Sequence, residues 1–414
     1  MRSPFSVPSV KQIIISVCSG TAIFLITWFY INSYYTLSIE DSLYNNEAII
    51  KHHLLKVHPE KNKQFLFIST GKDMSMVDDT GGTGTVTVSD RYKLFKLLQA
   101  INRAGAKPAF ILLDLQFYFP YNFTLPDSIR ATVKRDKLDK YFAEKSIDDS
   151  LQAEIKKDKY IIISVLLNNG KIDTPIYKGN YGIADYVTYG STINKFRITY
   201  NGSKINSVPA MLNKQLDGAV YSGGPYATFC DNRLCFNYIW PGYYYDGENV
   251  KSDSTYQYYH IGSLMNFLDN TAVMGTIVKN KVIFIGNFED DVHDTPAGKI
   301  PGTIVLADIY LSLLNGKHYV PYLWIVFLIV SFSALSYAAI YDKLPKIELK
   351  SGIMTSLIYS FFSDYFSYLG ILLILSLASV ILFNINVSLF LPAFIFSAID
   401  FFSQKKYKPQ VKPK

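Results

Sequence analysis

Phe65-Leu66-Phe67-Ile68 and Ala109-Phe110-Ile111-Leu112-Leu113, separated by a helical repeat of Leu94, Leu97, Leu98 and Ile101, decide how this chain folds. Short unbroken apolar runs read as strands buried on both faces, and leucines at helical spacing give the segment between them one apolar stripe. Ser89 or Asp90 offers a side-chain oxygen to cap that helix, and Gly105 ends it. The pattern is β-α-β, for which a right-handed parallel crossover is expected. It recurs downstream. A helix over 146–156, with Ser146 and Asp149 at capping-box spacing, leads to a strand over 160–166. The Tyr- and Gly-rich stretch 181–245 reads as β-hairpins. Residues 264–274 read as a helix before the strand Val282-Ile283-Phe284-Ile285, which ends at Gly286, and a last helix spans 303–314. Strands alternating with helices predict an α/β domain with a mostly parallel sheet.

Outside this region the chain turns apolar. Residues 13–31 form a run long enough to cross roughly 30 Å of hydrocarbon at about 1.5 Å per residue. Arg2 and Lys11 precede it, and Tyr30-Ile31-Asn32-Ser33-Tyr34-Tyr35 offers no small-residue cleavage site, so the run reads as a retained anchor. A second span covers 320–340, with Tyr319, Tyr322 and Trp324 as an aromatic belt at one end and Asp342, Lys343 and Lys346 at the other. Ser331, Ala334 and Ala338 line one stripe suited to close helix contact. Residues 352–402 are too long for one crossing; Asn384-Ile385-Asn386 divides them into spans over 366–383 and 387–402. Residues 350–365 are either interfacial or the start of the third span.

The lysines fall on one side of this arrangement. The net charge is +7, and its densest run is Lys405, Lys406, Lys408, Lys412 and Lys414, directly after an apolar helix, which is a positive-inside signal rather than a nucleic-acid footprint. The expectation is therefore a cytoplasmic stub and anchor over 1–35, an extracytoplasmic domain over 36–318, three C-terminal transmembrane helices within 319–402 joined by a cytoplasmic loop over 341–365, and a basic cytoplasmic tail over 403–414. That makes four transmembrane α-helices in a bacterial inner membrane, with both termini cytoplasmic and no nucleic-acid partner.

Of the three cysteines, Cys18 lies in the first apolar helix, where a small buried thiol is expected. Cys230 and Cys235 flank the polar turn Asp231-Asn232-Arg233-Leu234. Outside the cytoplasm a disulfide closing this hairpin is expected, stabilising the fold by roughly 2 kcal/mol.

Ligands of open α/β sheets sit beyond the carboxyl ends of the strands. Asp73 follows the first strand, Asp114 the second, and Asp290, Asp291, His293, Asp294 and Thr295 the last. Asp73, Asp114, Asp291, His293, Asp294 and Thr295 are thus the candidate ligand-binding residues. Converging carboxylates suit a cation or an amine- or hydroxyl-bearing ligand, and His293 adds a metal-ligating nitrogen, with no particular metal indicated. The competing role for these side chains is to cap helices and hold turns. If the sheet is parallel, Asp114 and Asp294 lie at one edge, beside Gly286. No H-E-x-x-H or G-x-S-x-G pattern occurs, so no catalytic residue, enzymatic activity or cofactor is expected. Residues 80–85, Thr-Gly-Gly-Thr-Gly-Thr, lack the Gly-Lys-Ser/Thr ending of a phosphate loop and read as a turn.

Short patterns in order also carry a family resemblance. Lys281-Val-Ile-Phe-Ile-Gly286, Asp294-Thr-Pro296, Pro301-Gly302, Ala307 and Leu313-Leu-Asn-Gly316 resemble the C-terminal half of CHASE2 sensor domains. Arg91, Gly105-Ala-Lys107, Asp114-Leu-Gln-Phe117, Asp149-Ser-Leu151, Phe196-Arg197 and Ser207-Val-Pro209 fit the rest, over roughly residues 36–402. The resemblance implies an extracytoplasmic sensory domain between one anchor helix and three further helices. It singles out Asp294-Thr295-Pro296, and it implies a cyclase or kinase as cytoplasmic output. Residues 403–414 are too short for such a module, so the expected signal passes to a separate cytoplasmic or membrane partner, with homo-oligomerisation through the transmembrane helices. The rivals are a non-switching scaffold subunit of an envelope complex and an extracytoplasmic hydrolase using Asp114 and Asp294. The hydrolase reading lacks a nucleophile–base pair.

Overall fold

The computed structural model describes residues 8–33, 64–78, 85–119, 147–168, 171–189, 192–200, 206–224, 226–242, 250, 257–341 and 356–407. Ser146, the segment 79–84 and the tail beyond 407 lie outside them.

The chain begins with helix α1 (Val10–Ile31), closed at its start by a capping box between Ser9 and Gln12. Strand β1 (Phe65–Ser69) follows, then the antiparallel pair β2 (Met74–Asp78) and β3 (Thr85–Ser89). Helix α2 (Arg91–Arg103) is capped by Asp90, which accepts from the Lys93 amide at 3.0 Å. Strand β4 (Phe110–Asp114), helix α3 (Ile147–Lys157) and strand β5 (Ile161–Val165) complete the β-α-β series. A small ribbon, β6 (Leu167–Asn168) and β7 (Lys171–Ile172), precedes β8 (Asn180–Ile183), β9 (Tyr186–Tyr189) and β10 (Thr192–Arg197).

The region expected to be hairpins contains a helix, α4 (Val208–Asp217), with Ser207 as its N-cap and Gly218 in the left-handed conformation that ends it. The meander β11 (Tyr221–Gly224), β12 (Ala227–Cys230) and β13 (Arg233–Cys235) and the short β14 (Tyr238–Ile239) follow. After β15 (Gln257–His260), the single helix expected over 264–274 is two, α5 (Ile261–Leu264) and α6 (Thr271–Val278). The first passes into a 3-10 turn over Met265–Phe267, and Asn270 caps the second. Strand β16 (Val282–Gly286), the hairpin β17 (Val292–Thr295) and β18 (Gly298–Pro301), and helix α7 (Gly302–Leu314) end the domain.

The main sheet has six strands in the order β15-β1-β16-β4-β5-β8, and every pairing is parallel. Alternate side chains serve two cores. Leu66, Ile68, Ile111, Leu113, Ile283 and Ile285 pack with α2, α3 and α6 on one face. Phe65, Phe67, Phe110, Leu112 and Phe284 pack with α4 and α7 on the other. Helix α7 is buried around almost its whole circumference, which explains why its sequence is apolar on every side. A smaller sheet, β14-β10-β17-β18 with β9 beside β10, lies over the carboxyl end of the main one.

Helices α8 (Tyr322–Ile340), α9 (Ser356–Phe383) and α10 (Phe390–Tyr407) follow. Among the described residues, three helices are long and apolar enough to cross a membrane: residues 10–31, 322–340 and 361–383. The apolar part of α10, Phe390–Ser403, is shorter. Helix α9 runs unbroken from Ser356, so the open segment before 366 belongs to the third helix from that point on. Helix α1 lies against α8 so closely that a Cβ at Gly20 would stand 2.4 Å from the Ser333 amide nitrogen. The expected small-residue stripe is displaced, since Ala334 is exposed and the buried face is Trp324, Leu328, Phe332, Leu335, Ser336 and Ala339. Trp324 is not a belt residue either. It is fully buried, and its indole donates to Ser379 Oγ at 2.8 Å. Cys18, expected to be buried, is exposed on α1.

The disulfide is not formed. Cys230 and Cys235 are free, buried thiols. The turn Asp231-Asn232, both at positive φ, sets Cys230 opposite Arg233 and Cys235 opposite Thr228. The two cysteines are therefore diagonal neighbours on adjacent strands rather than directly opposed. Burial pushes the Cys235 thiol up to about 12 and holds both as unreactive packing residues.

Candidate functional site

The site forms where β4 and β16 end side by side, with Asp114 in register with Gly286. A Cβ at Gly286 would lie 2.0 Å from Thr303 Oγ1, so the bare backbone is what lets Thr303 approach. Thr303, in the first turn of α7, donates to Asp114 Oδ2 at 2.7 Å, and Ser164 on β5 donates to Oδ1 at 2.6 Å. Asp114 is thereby fixed beside the positive end of a buried helix.

Across from it stand Asp291 and His293. Asp291 Oδ1 lies 3.1 Å from His293 Nε2, and both crowd Gly302, where a Cβ would meet Asp291 Oδ2 at 2.8 Å and His293 Nε2 at 2.9 Å. The Gly302 amide donates to the Asp291 carbonyl at 2.9 Å, and Tyr186 Oη donates to the Gly302 carbonyl at 3.0 Å. The Tyr186 ring is 5.3 Å from the imidazole and roofs the site. Burial first, then the facing Asp291 charge, pushes the Asp114 carboxyl up to about 6, against the two hydroxyl donors and His293. His293 is raised, chiefly by its hydrogen bond to Asp291, against its own burial. Burial holds Tyr186 well above the usual phenol range. The arrangement is a carboxyl and an imidazole both raised by their surroundings, with a second carboxylate beside the imidazole, at the first turn of α7.

Asp114, Asp291 and His293 are therefore brought together. The other expected residues are not. Asp294 pairs in register with Thr192 and Lys299 on β17, one position out of phase with His293, so its side chain points to the opposite face of the strand. Asp291, rather than Asp294, is the acid that faces Asp114. Thr295 closes the β17–β18 turn, donating to the Gly298 carbonyl at 2.7 Å and accepting from the Ala297 amide at 3.2 Å. Asp73 is bound to Lys93 and accepts from the Gly262 amide at 3.0 Å, clamping α2 to α5. Asp290 accepts from Asn287 at 3.1 Å in its own turn. Thr295, Asp73 and Asp290 take the structural roles open to loop carboxylates and hydroxyls.

Ser164, Thr303 and Tyr186 escaped sequence reading. Ser164 had a signal, as the one polar residue within Ile161-Ile-Ile-Ser-Val165. A second group missed from the sequence joins β1 and β15, where Glu289 accepts from Ser69 and from Tyr258 Oη at 3.2 Å, with His260 Nδ1 at 3.7 Å. Among the described residues no group of three or more His, Cys, Asp or Glu side chains is placed to hold a metal ion, so the cation reading has no such group to rest on.

The domain is tied to the helices at its far side. Trp28 Nε1 donates to the Tyr226 carbonyl at 2.7 Å, the Asn237 amide to Asn32 Oδ1 at 2.8 Å, and buried Lys195 to the Ser33 carbonyl at 2.7 Å, at the negative end of α1. The link from α7 to α8 is zipped to β13, with the Phe236 amide donating to the His318 carbonyl and the Val320 amide to the Leu234 carbonyl, each at 2.9 Å. No family model matches the chain, and no curated protein or solved structure matches it significantly.

Proposed function

We propose that this chain is a membrane sensor of the CHASE2 type. Its α/β domain lies outside the cytoplasm, binds a ligand or protein at the Asp114–Asp291–His293 site, and biases the packing of four transmembrane helices that a separate partner reads. The fourth crossing is the apolar part of α10.

One observation carries the reading: α7 begins at the site and ends at the membrane helices. Its first turn holds Gly302 and Thr303, its body is sealed in the core, and only residues 315–321 separate its last turn from α8. A rigid buried helix passes displacement from one end to the other, and a ligand exerts it through unequal affinity for two packings.

The rival is a scaffold with one packing. Native Cys18, exposed on α1, and a second label at Val330→Cys, exposed on α8, allow the distance between the two helices to be measured by pulsed electron resonance in lipid nanodiscs. The sensor predicts that Asp114→Asn redistributes this distance between two populations. A single unchanged distance supports the scaffold.

A further inference from the structure

The meander β11–β13 carries an outer face that water does not suit. A small antiparallel sheet with one side on the core is expected to be polar on the other. The inner side holds Tyr221, Thr228, Cys230 and Cys235. Pairing sets Ser222 and Leu234 on either side of Phe229, and Gly224 opposite Ala227. The outer side is therefore Ser222, Gly224, Ala227, Phe229 and Leu234, with no charge and no amide among these side chains. Phe229 is exposed, and Tyr226, in the turn before β12, exposes half of its surface.

Hydrogen bonds and ring contacts fix the height of this meander on the helix pair. Trp28 Nε1 donates to the Tyr226 carbonyl at 2.7 Å, and the Tyr226 ring meets Phe29 edge-on with centroids 5.2 Å apart. Phe236, just past β13, lies between Trp28 and Trp324, with centroids 5.5 and 5.7 Å away. Trp28 falls one turn before the end of α1 at Ile31, and Trp324 lies in the first turn of α8. At about 1.5 Å per residue, the tip of the meander sits roughly 4 Å inside the ends of both helices. Helix α8 has 19 residues, which span about 28 Å and leave no slack across roughly 30 Å of hydrocarbon. Its first turn must then lie at the hydrocarbon boundary, and the tip of the meander with it. Phe29, exposed on α1, joins the Tyr226 ring to the apolar side of that helix.

We infer that the β11–β13 meander is a lipid-docking surface: Tyr226 and Ala227 enter the bilayer at the hydrocarbon edge, and the uncharged face with Phe229 lies in the headgroup layer. This rests on the reading of α1 and α8 as membrane-crossing helices.

Tyrosine suits that depth, with an apolar ring and a hydroxyl that reaches water. An indole N–H at the same depth needs an acceptor, and the Tyr226 carbonyl provides it for Trp28. A second copy of the chain is the other occupant able to cover an apolar face, but a tip set below the helix ends meets lipid first. Docking braces the domain against the bilayer at a point separate from its two chain connections.

Spin labels on the full chain in nanodiscs of zwitterionic phospholipid test this. In a Cys18→Ser background, whose blank is the same chain without an added cysteine, a nitroxide is placed singly at Ala227→Cys, Phe229→Cys, Val330→Cys or Lys279→Cys, all exposed positions. Collision with oxygen, which partitions into lipid, is compared with collision with a water-soluble nickel chelate. The Val330 label reports lipid and the Lys279 label water. The ratio of oxygen to chelate collisions at Ala227 should exceed that at Lys279 severalfold and approach that at Val330, with Phe229 between.

Labels at Ala227 and Phe229 as wet as Lys279, with Val330 in lipid, would overturn the docking surface and leave the membrane helices standing. A wet label at Val330 would overturn both. Labels at Ala227 and Phe229 shielded from both quenchers, with spin–spin broadening that vanishes on dilution with unlabelled chain, would overturn the proposal by placing a second copy on this face.

Discussion

Thr303 and Asp114 are 189 positions apart in the chain and joined by a hydrogen bond of 2.7 Å, which fastens the sealed helix α7 to the carboxyl edge of the parallel sheet. The rest of the site is arranged around that bond.

Replacing Thr303 with Val removes the donor while keeping the shape. A hydrogen bond to a charged group contributes about 2 kcal/mol, and the melting temperature of the full chain should fall accordingly. The hydroxyl favours ionised Asp114, so the loss should be largest above about pH 6, where Asp114 is charged, and shrink as pH falls below it. An equal loss at every pH would show that Thr303 serves packing alone.

The α1–α8 contact makes a second prediction. Gly20→Ala drives a methyl into the Ser333 backbone and should destabilise the pair by about 1–3 kcal/mol, splitting helices that now touch. Gly370→Ala on α9 meets nothing within 4 Å and should be neutral or mildly stabilising. Melting curves that rank the two variants the other way would place α1 elsewhere.

Cys230 and Cys235 should remain thiols. Mass measurement of the unreduced chain should give two free sulfhydryls that resist alkylation until the protein unfolds, since both are fully buried. Finding a bridge would overturn the assignment of both as free thiols.

The placement of the domain is tested by impermeant thiol labelling of whole cells in a Cys18→Ser background. Lys279→Cys, exposed beside α6, should react from outside, and Gln410→Cys in the basic tail should not. The opposite pattern would reverse the topology and remove the extracytoplasmic sensor.

The parallel sheet was legible because its strands are buried on both faces, so Phe65–Ser69, Phe110–Asp114 and Val282–Gly286 are continuous apolar runs that no surface strand would show. Helix α4 was hidden among tyrosines and glycines, although Ser207, Pro209 and Gly218 mark its two ends. The site was half legible. Position at strand ends pointed to Asp114, Asp291 and His293. Which acid faces Asp114 depends on the phase of β17, and a four-residue strand carries too little alternation to fix it; the preference for Asp294 came from the CHASE2 resemblance instead. Ser164 and Thr303 belong to the site only through pairing of distant strands and the missing side chain at Gly286.

The relay along α7 is tested most directly by hydrogen–deuterium exchange on the full chain, wild type against Thr303→Val. If α7 transmits from site to membrane, exchange should quicken in its first turn, in the link 315–321, and in the last turn of α1 around Asn32 and Ser33. Quickened exchange confined to the first turn of α7, with the link and α1 as protected as before, would contradict the account.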